Sequence, residues 1–167
     1  MSEIKYLKPR NPAKAADYEI PAYAGERDED PSDSFLWGDP VEVLQTGERR
    51  SQVRGRGRRN VVWIDHDHLG DEALLELYFI DVGQGDGILV VSPDRKHMVV
   101  DGGNLSSAQD TKKNASDFID WKFFHDYAKD QISIDVLVCS HCDQDHFGGL
   151  MDLLNPAQYR KQRTGRS

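Results

Sequence analysis

The sequence predicts an α/β fold, on three observations. Apolar runs broken by short glycine- and proline-marked turns fill residues 74–101, the pattern of short buried strands. Over residues 115–128, Phe118, Trp121, Phe124 and Ala128 recur at three- and four-residue steps, one apolar helical stripe. A last apolar run, 131–140, empties into His141-Cys142-Asp143-Gln144-Asp145-His146 and then Gly148-Gly149.

Residues 1–34 are polar and carry four scattered prolines and the charge run Glu26-Arg27-Asp28-Glu29-Asp30. That composition buries too little apolar surface to offset ordering entropy, which predicts a disordered or loosely docked arm. Residues 35–70 read as a small β unit, with strands at 41–44, 51–56 and 60–64 and a turn at Thr46-Gly47-Glu48. It faintly resembles an SH3-like module.

The main domain is expected over 71–155. Leu74–Val82, Ile88–Val91 and His97–Asp101 are its first strands, joined at Gly83-Gln84-Gly85-Asp86-Gly87 and Ser92-Pro93-Asp94. Such apolar runs predict strands buried on both faces. Residues 115–128 form a helix, 131–140 a strand, and Gly148–Leu154 opens a second helix that Asn155-Pro156 ends. Residues 156–167 are a basic tail.

With 21 Lys and Arg against 29 Asp and Glu, the net charge of −8 gives no general attraction to nucleic acid or anionic membrane. There is no apolar run near the length of a membrane span, and the N-terminus lacks a signal-like apolar core, so the expectation is a cytoplasmic protein. One basic cluster, Arg49, Arg50, Arg54, Arg56, Arg58 and Arg59, reads equally as a nucleic-acid contact or a solvated strand edge.

In extended chain, residues two apart share a face, so His141, Asp143 and Asp145 converge if the strand continues, with His146 at the turn. Imidazole and carboxylate suit zinc, manganese or iron. Four such ligands in one loop suggest a pair of ions, each also using ligands from elsewhere. Gly148 and Gly149 let backbone come close and start the next helix, whose N-terminus favours an anionic group. Other constellations read plainly. Cys139 is a small core residue and Cys142 a spacer, Asp65-His66-Asp67-His68 is a connecting loop, and the glycine-dense turn is a hairpin lacking the Lys-Ser/Thr of a phosphate loop.

His141-Cys142-Asp143-Gln144-Asp145-His146 resembles the His-x-His-x-Asp-His motif of metallo-β-lactamase fold hydrolases, with Asp143 in place of the second His. Phe79-Ile80-Asp81-Val82-Gly83-Gln84-Gly85-Asp86 and Asp101-Gly102-Gly103 are similar to further motifs of the ComEC-type competence-protein branch. The resemblance implies His141 and Asp143 as ligands of one metal and Asp145 and His146 as ligands of the other. Asp145 would also orient the attacking hydroxide, with Asp81, Gln84, Asp86 and Asp101 in support.

It further implies two divalent ions, Zn2+ first and Mn2+ second, and metal-activated hydrolysis of a phosphodiester, with nucleic acid one such substrate. The family fold is an αβ/βα sandwich of two similar halves, of which this chain resembles the first, preceded by the SH3-like segment. The domain is therefore expected to be truncated. The competing expectation is a catalytically inactive half-domain, acting as a binding or regulatory module with a partner chain that supplies the missing half.

Overall fold

The computed structural model describes residues 3–57 and 60–155; the expected basic tail, 156–167, lies outside them, as do Arg58 and Arg59. The chain divides into two compact units, Met1–Leu74 and Leu75–Ser167.

The first unit is all β. Strands β1 (Glu3–Leu7), β4 (Pro40–Thr46), β5 (Arg50–Gly55), β6 (Val61–Asp65) and β7 (Leu69–Gly70) form one antiparallel sheet in the order β6-β5-β4-β1-β7. Strands β2 (Glu19–Ala22) and β3 (Asp33–Leu36) make a separate antiparallel pair. Leu7, Ile20, Ala22 and Phe35 pack with Val41, Val53, Val62 and Ile64 into one core.

The region read from composition as a disordered arm is therefore built into the fold. Leu7, Ile20, Ala22 and Tyr23 are buried, at about 1.5–3 kcal/mol for each large one, and β1 finds backbone partners in β4 and β7. The expected SH3-like segment is not a separate module, because its strands share a sheet with β1.

Arg50, expected at a basic surface, turns inward. Its Nε donates to Asp65 Oδ1 at 2.6 Å, its Nη1 donates to the carbonyls of Glu26 (3.1 Å) and Asp28 (2.8 Å), and its guanidinium lies 3.3 Å from the centroid of the Tyr23 ring. Arg54 pairs with Glu42 at 3.3 Å. Asp65–His68 is also structural rather than a solvated loop, since His66–His68 is a short 3-10 turn with buried His68 Nδ1 2.9 Å from the Lys8 carbonyl.

The second unit is α/β. Strands β8 (Glu76–Phe79), β9 (Ile88–Val91), β10 (His97–Val100) and β11 (Val136–Val138) form a sheet in the order β11-β10-β9-β8. The first three strands are antiparallel, and β11 joins β10 in parallel. A parallel neighbour requires a crossover, here α1 (Ala115–Trp121) running on into a π-helical turn, Lys122–Asp126. Asn114 and Asp117 cap α1 reciprocally. Helix α2 (Gln144–Leu153) follows β11.

One face of this sheet is covered. Leu89, Val91 and Val99 pack against Ile119, Phe123, Leu150 and Leu153 of the helices. The helical stripe is thus Ala115, Ile119 and Phe123, one step round from the expected one, and Trp121 is exposed.

The other face is not covered as expected. Cross-strand register aligns Leu77, Val90, Met98 and Val136 in one row and Phe79, Ile88, Val100 and Val138 in the next. Phe79 remains 78% exposed, Leu77 52% and Val136 48%. Apolar runs record a demand for burial, and this chain meets it on one face. Cys139, expected in the core, is exposed because β11 is short and lies at the sheet edge.

His97 sits between these layers, its ring centroid 4.8 Å from Phe123 and 5.7 Å from Tyr127. Burial lowers its pKa, with help from Arg95 and opposition from Asp135 and Glu76. The unfolded chain then binds the proton more tightly, so this contribution to stability is complete above the ordinary value of 6.5 and declines as pH falls below it. Thermal unfolding of wild type and His97→Phe across that range should diverge, with wild type losing more stability toward acid. Parallel profiles would contradict this account.

Candidate metal centre

Three loops meet at one edge of the second sheet. The turn after β8 ends at Asp86, the loop after β10 begins at Asp101, and the segment after β11 runs through His141 into α2. Strand ends at the point where a parallel pair sends its connections away are a recurrent location for sites in open α/β sheets. The loops are stitched by backbone: Gly103 N–H donates to the Asp86 carbonyl (2.8 Å), Gly102 N–H to His146 (2.8 Å) and Gly149 N–H to Gly103 (2.9 Å).

This approach depends on absent side chains. A Cβ on Gly149 would lie 1.9 Å from the Gly102 carbonyl oxygen, and one on Gly85 would lie 1.6 Å from that of Asp145. Gly149 therefore permits α2 to lie on the Asp101-Gly102-Gly103 loop. The glycine pair was expected to start this helix, but it lies inside it, because α2 begins earlier, at Gln144.

Asp86, Asp101 and His146 each bring one donor atom to within 4.8 Å of the others, the one such cluster among the described residues. His146 Nδ1 is 2.9 Å from Asp101 Oδ2 and 4.0 Å from Asp86 Oδ2. Burial alone would raise the Asp101 carboxyl, but hydrogen bonds from the Ser140 hydroxyl and N–H and from His146 outweigh it and lower its pKa. The Asp101 hydrogen bond in turn raises His146 against the effect of its partial burial. Asp101 has φ +55°, a left-handed conformation that aspartate tolerates better than most residues. Two carboxylates and an imidazole suit a divalent ion such as Zn2+ or Mn2+.

The structure does not bring His141, Asp143 and Asp145 together on an extended segment. Asp143 is the N-cap of α2 and Asp145 lies in its first turn, so the side-chain period changes from that of a strand to that of a helix. His141 Nε2 lies 3.5 Å from Asp143 Oδ2, and its ring centroid lies 3.7 Å from that of His146. Gln84 Nε2 donates to Asp145 Oδ2 at 3.4 Å, and Asp81 Oδ1 accepts from Gly83 N–H at 3.2 Å. Asp86 and Asp101, expected in support, share the cluster with His146.

Sequence reasoning missed Asn114 and Asp152. Asp152 Oδ2 accepts from Ser106 N–H and Asn114 Nδ2 at 2.8 Å each, and Asn114 Nδ2 also reaches the Asn104 carbonyl at 2.9 Å. This buried network ties α1, α2 and the loop after Gly103 together. Its one sequence signal is the Asn-x-x-Asp capping box at Asn114.

Residues 80–162 match the Metallo-beta-lactamase superfamily. No curated protein and no solved structure matches the chain.

Two substitutions probe this geometry. Gly149→Ala should destabilise the second unit by about 1–3 kcal/mol through overpacking, read as a lower urea midpoint. Asp101→Asn replaces a double acceptor by a group with one acceptor oxygen and should weaken Mn2+ or Zn2+ binding by about 10–100-fold, the usual effect of losing a partner of a ligating histidine. Isothermal titration checks the second, and unchanged affinity would remove Asp101 from the site.

Proposed function

We propose, with residues 80–162 carrying the Metallo-beta-lactamase superfamily fold, that this chain is a metal-binding half-domain that works with a partner rather than as a hydrolase by itself. The observation that carries this reading is the pairing of a three-donor cluster with an uncovered apolar sheet face. Asp86, Asp101 and His146 can hold one divalent ion. Catalysis by a pair of ions needs more ligands at fixed positions, and a misplacement of about 1 Å costs on the order of 10²-fold.

The partner we propose is a second β-sheet with an equally apolar face, the complementary half of the same fold. Two rows of four aliphatic and aromatic side chains, without a charge, suit a sheet packed face to face at about 10 Å. A helix would cover only part of the two rows. The two exposed thiols, Cys139 and Cys142, fit a reducing compartment, the cytoplasm.

The second reading is hydrolysis of a phosphodiester, favoured by the run from His141 to His146 and by the Gly83-Gln84-Gly85-Asp86 turn, both similar to the ComEC-type branch. In that reading Asp86, Asp101 and His146 would hold the ion, which when bound would lower the pKa of a water so that hydroxide is available near neutral pH. The residues do the rest. His146 is held by Asp101, Asp86 adds a carboxylate from the facing loop, and Gln84 steadies Asp145, which orients the water.

Metal analysis and a bis(p-nitrophenyl) phosphate assay on the 167-residue chain separate these readings. We expect one equivalent of Mn2+ or Zn2+, lost in His146→Ala, and no turnover above that variant. Two tightly held equivalents, with turnover abolished in His141→Ala and Asp145→Ala, would establish the hydrolase. No retained metal would end both readings.

A further inference from the structure

Ser140 has no place in the expected ligand set, yet its hydroxyl lies within 3.5 Å of Asp101, His141 and His146 at once. Its backbone N–H donates to Asp101 Oδ1 at 2.7 Å, and its hydroxyl lies 2.5 Å from Asp101 Oδ2. The same hydroxyl lies 3.0 Å from His141 Nδ1 and 3.5 Å from His146 Nδ1. Asp101 Oδ2 is also 2.9 Å from His146 Nδ1.

Counting protons resolves these contacts. An ionised carboxylate only accepts, and a serine hydroxyl has one proton to donate. The 2.5 Å contact assigns that proton to Asp101. Toward His141 the Ser140 oxygen can then only accept, so His141 Nδ1 must carry a proton. His146 Nδ1, at 2.9 Å from the same carboxylate oxygen, must carry one as well. In the neutral imidazoles both protons are thereby placed on Nδ1, and both lone pairs on Nε2.

We infer that Ser140 is a positioning residue that sets the tautomer of His141 and holds the Asp101 carboxylate that sets that of His146, so that each ring presents Nε2 to a divalent ion. The chain of donors runs from His141 Nδ1 to the Ser140 oxygen, and from the Ser140 hydroxyl to Asp101, which His146 Nδ1 meets from the other side. Asp101 thus orients His146 through Oδ2, while Oδ1, which accepts only the Ser140 N–H, keeps a lone pair for the ion of the three-donor cluster. His141, which lies outside the cluster of Asp86, Asp101 and His146, is coupled to it through one hydroxyl. Fixing tautomer and ring orientation is how such outer hydrogen bonds tune metal affinity.

The inference rests on the metal-binding reading for its purpose but not for its geometry, and the experiment keeps the two apart. Long-range proton–nitrogen spectra of the metal-free, 15N-histidine-labelled full chain, taken at a pH where both rings are neutral, report each tautomer. We expect His141 in the Nδ1–H form in wild type and in Ser140→Thr, which keeps the hydroxyl. In Ser140→Ala, which keeps the backbone N–H, His141 should revert toward the Nε2–H form. A parallel Zn2+ titration should show about a 10–100-fold loss of affinity in Ser140→Ala and recovery to within a few-fold in Ser140→Thr. An Nε2–H His141 in wild type, or a tautomer unmoved by Ser140→Ala, would overturn the inference. If wild type binds no Zn2+, the metal reading fails, and the tautomers alone decide for or against the role of Ser140.

Discussion

Everything at the candidate site depends on how closely helix α2 lies on the loop Asp101-Gly102-Gly103. The contact is backbone on backbone, Gly149 N–H to the Gly103 carbonyl and Gly102 N–H to the His146 carbonyl. It exists because Gly149 has no Cβ to meet the Gly102 carbonyl. The consequence is chemical: His146, on the first turns of that helix, is placed against Asp101, at the end of β10. Separate the two elements by the width of a methyl group and the hydrogen bond that holds the imidazole lengthens beyond use.

Buried polar networks maintain this approach. Asp152, on α2, receives hydrogen bonds from Asn114 and Ser106, so the helix is bound to the cap of α1 and to the loop that α2 covers. Polar groups withdrawn from water are costly unless each is satisfied, and here the partners come from different elements. The arrangement tolerates little sliding. In the first unit Arg50 has the corresponding role, holding the loop through Glu26 and Asp28 against the sheet by way of Asp65 and Tyr23.

The second sheet carries the functional tension of the molecule. Its inner face is closed by the two helices, and its outer face presents two rows of apolar side chains, with Phe79 and Leu77 substantially in solvent. A contiguous exposed apolar patch marks an interaction site more often than it marks indifference. The sheet whose edge carries the candidate metal cluster thus also presents this open apolar face.

The residue types of the site were legible along the chain. Asp86, Asp101 and His146 stand in motifs whose glycines and carboxylates announce a turn and a metal, and the strand–helix alternation announces an α/β sheet. Legible too, though unread, was the start of α2, since Asp143-Gln144-Asp145 is a helix-opening pattern. The order of residues 3–36 was not legible, because composition measures how much can be buried and not which strand will pair. Nor was the open face, because an apolar run states a need for cover without naming what supplies it. Residue identity by itself determined the chemistry available to this protein. Which donors meet, and which proton Ser140 directs to Asp101, only the tertiary structure decided, because hydrogen bonds and ligand contacts act over about 3 Å between loops that are far apart in sequence.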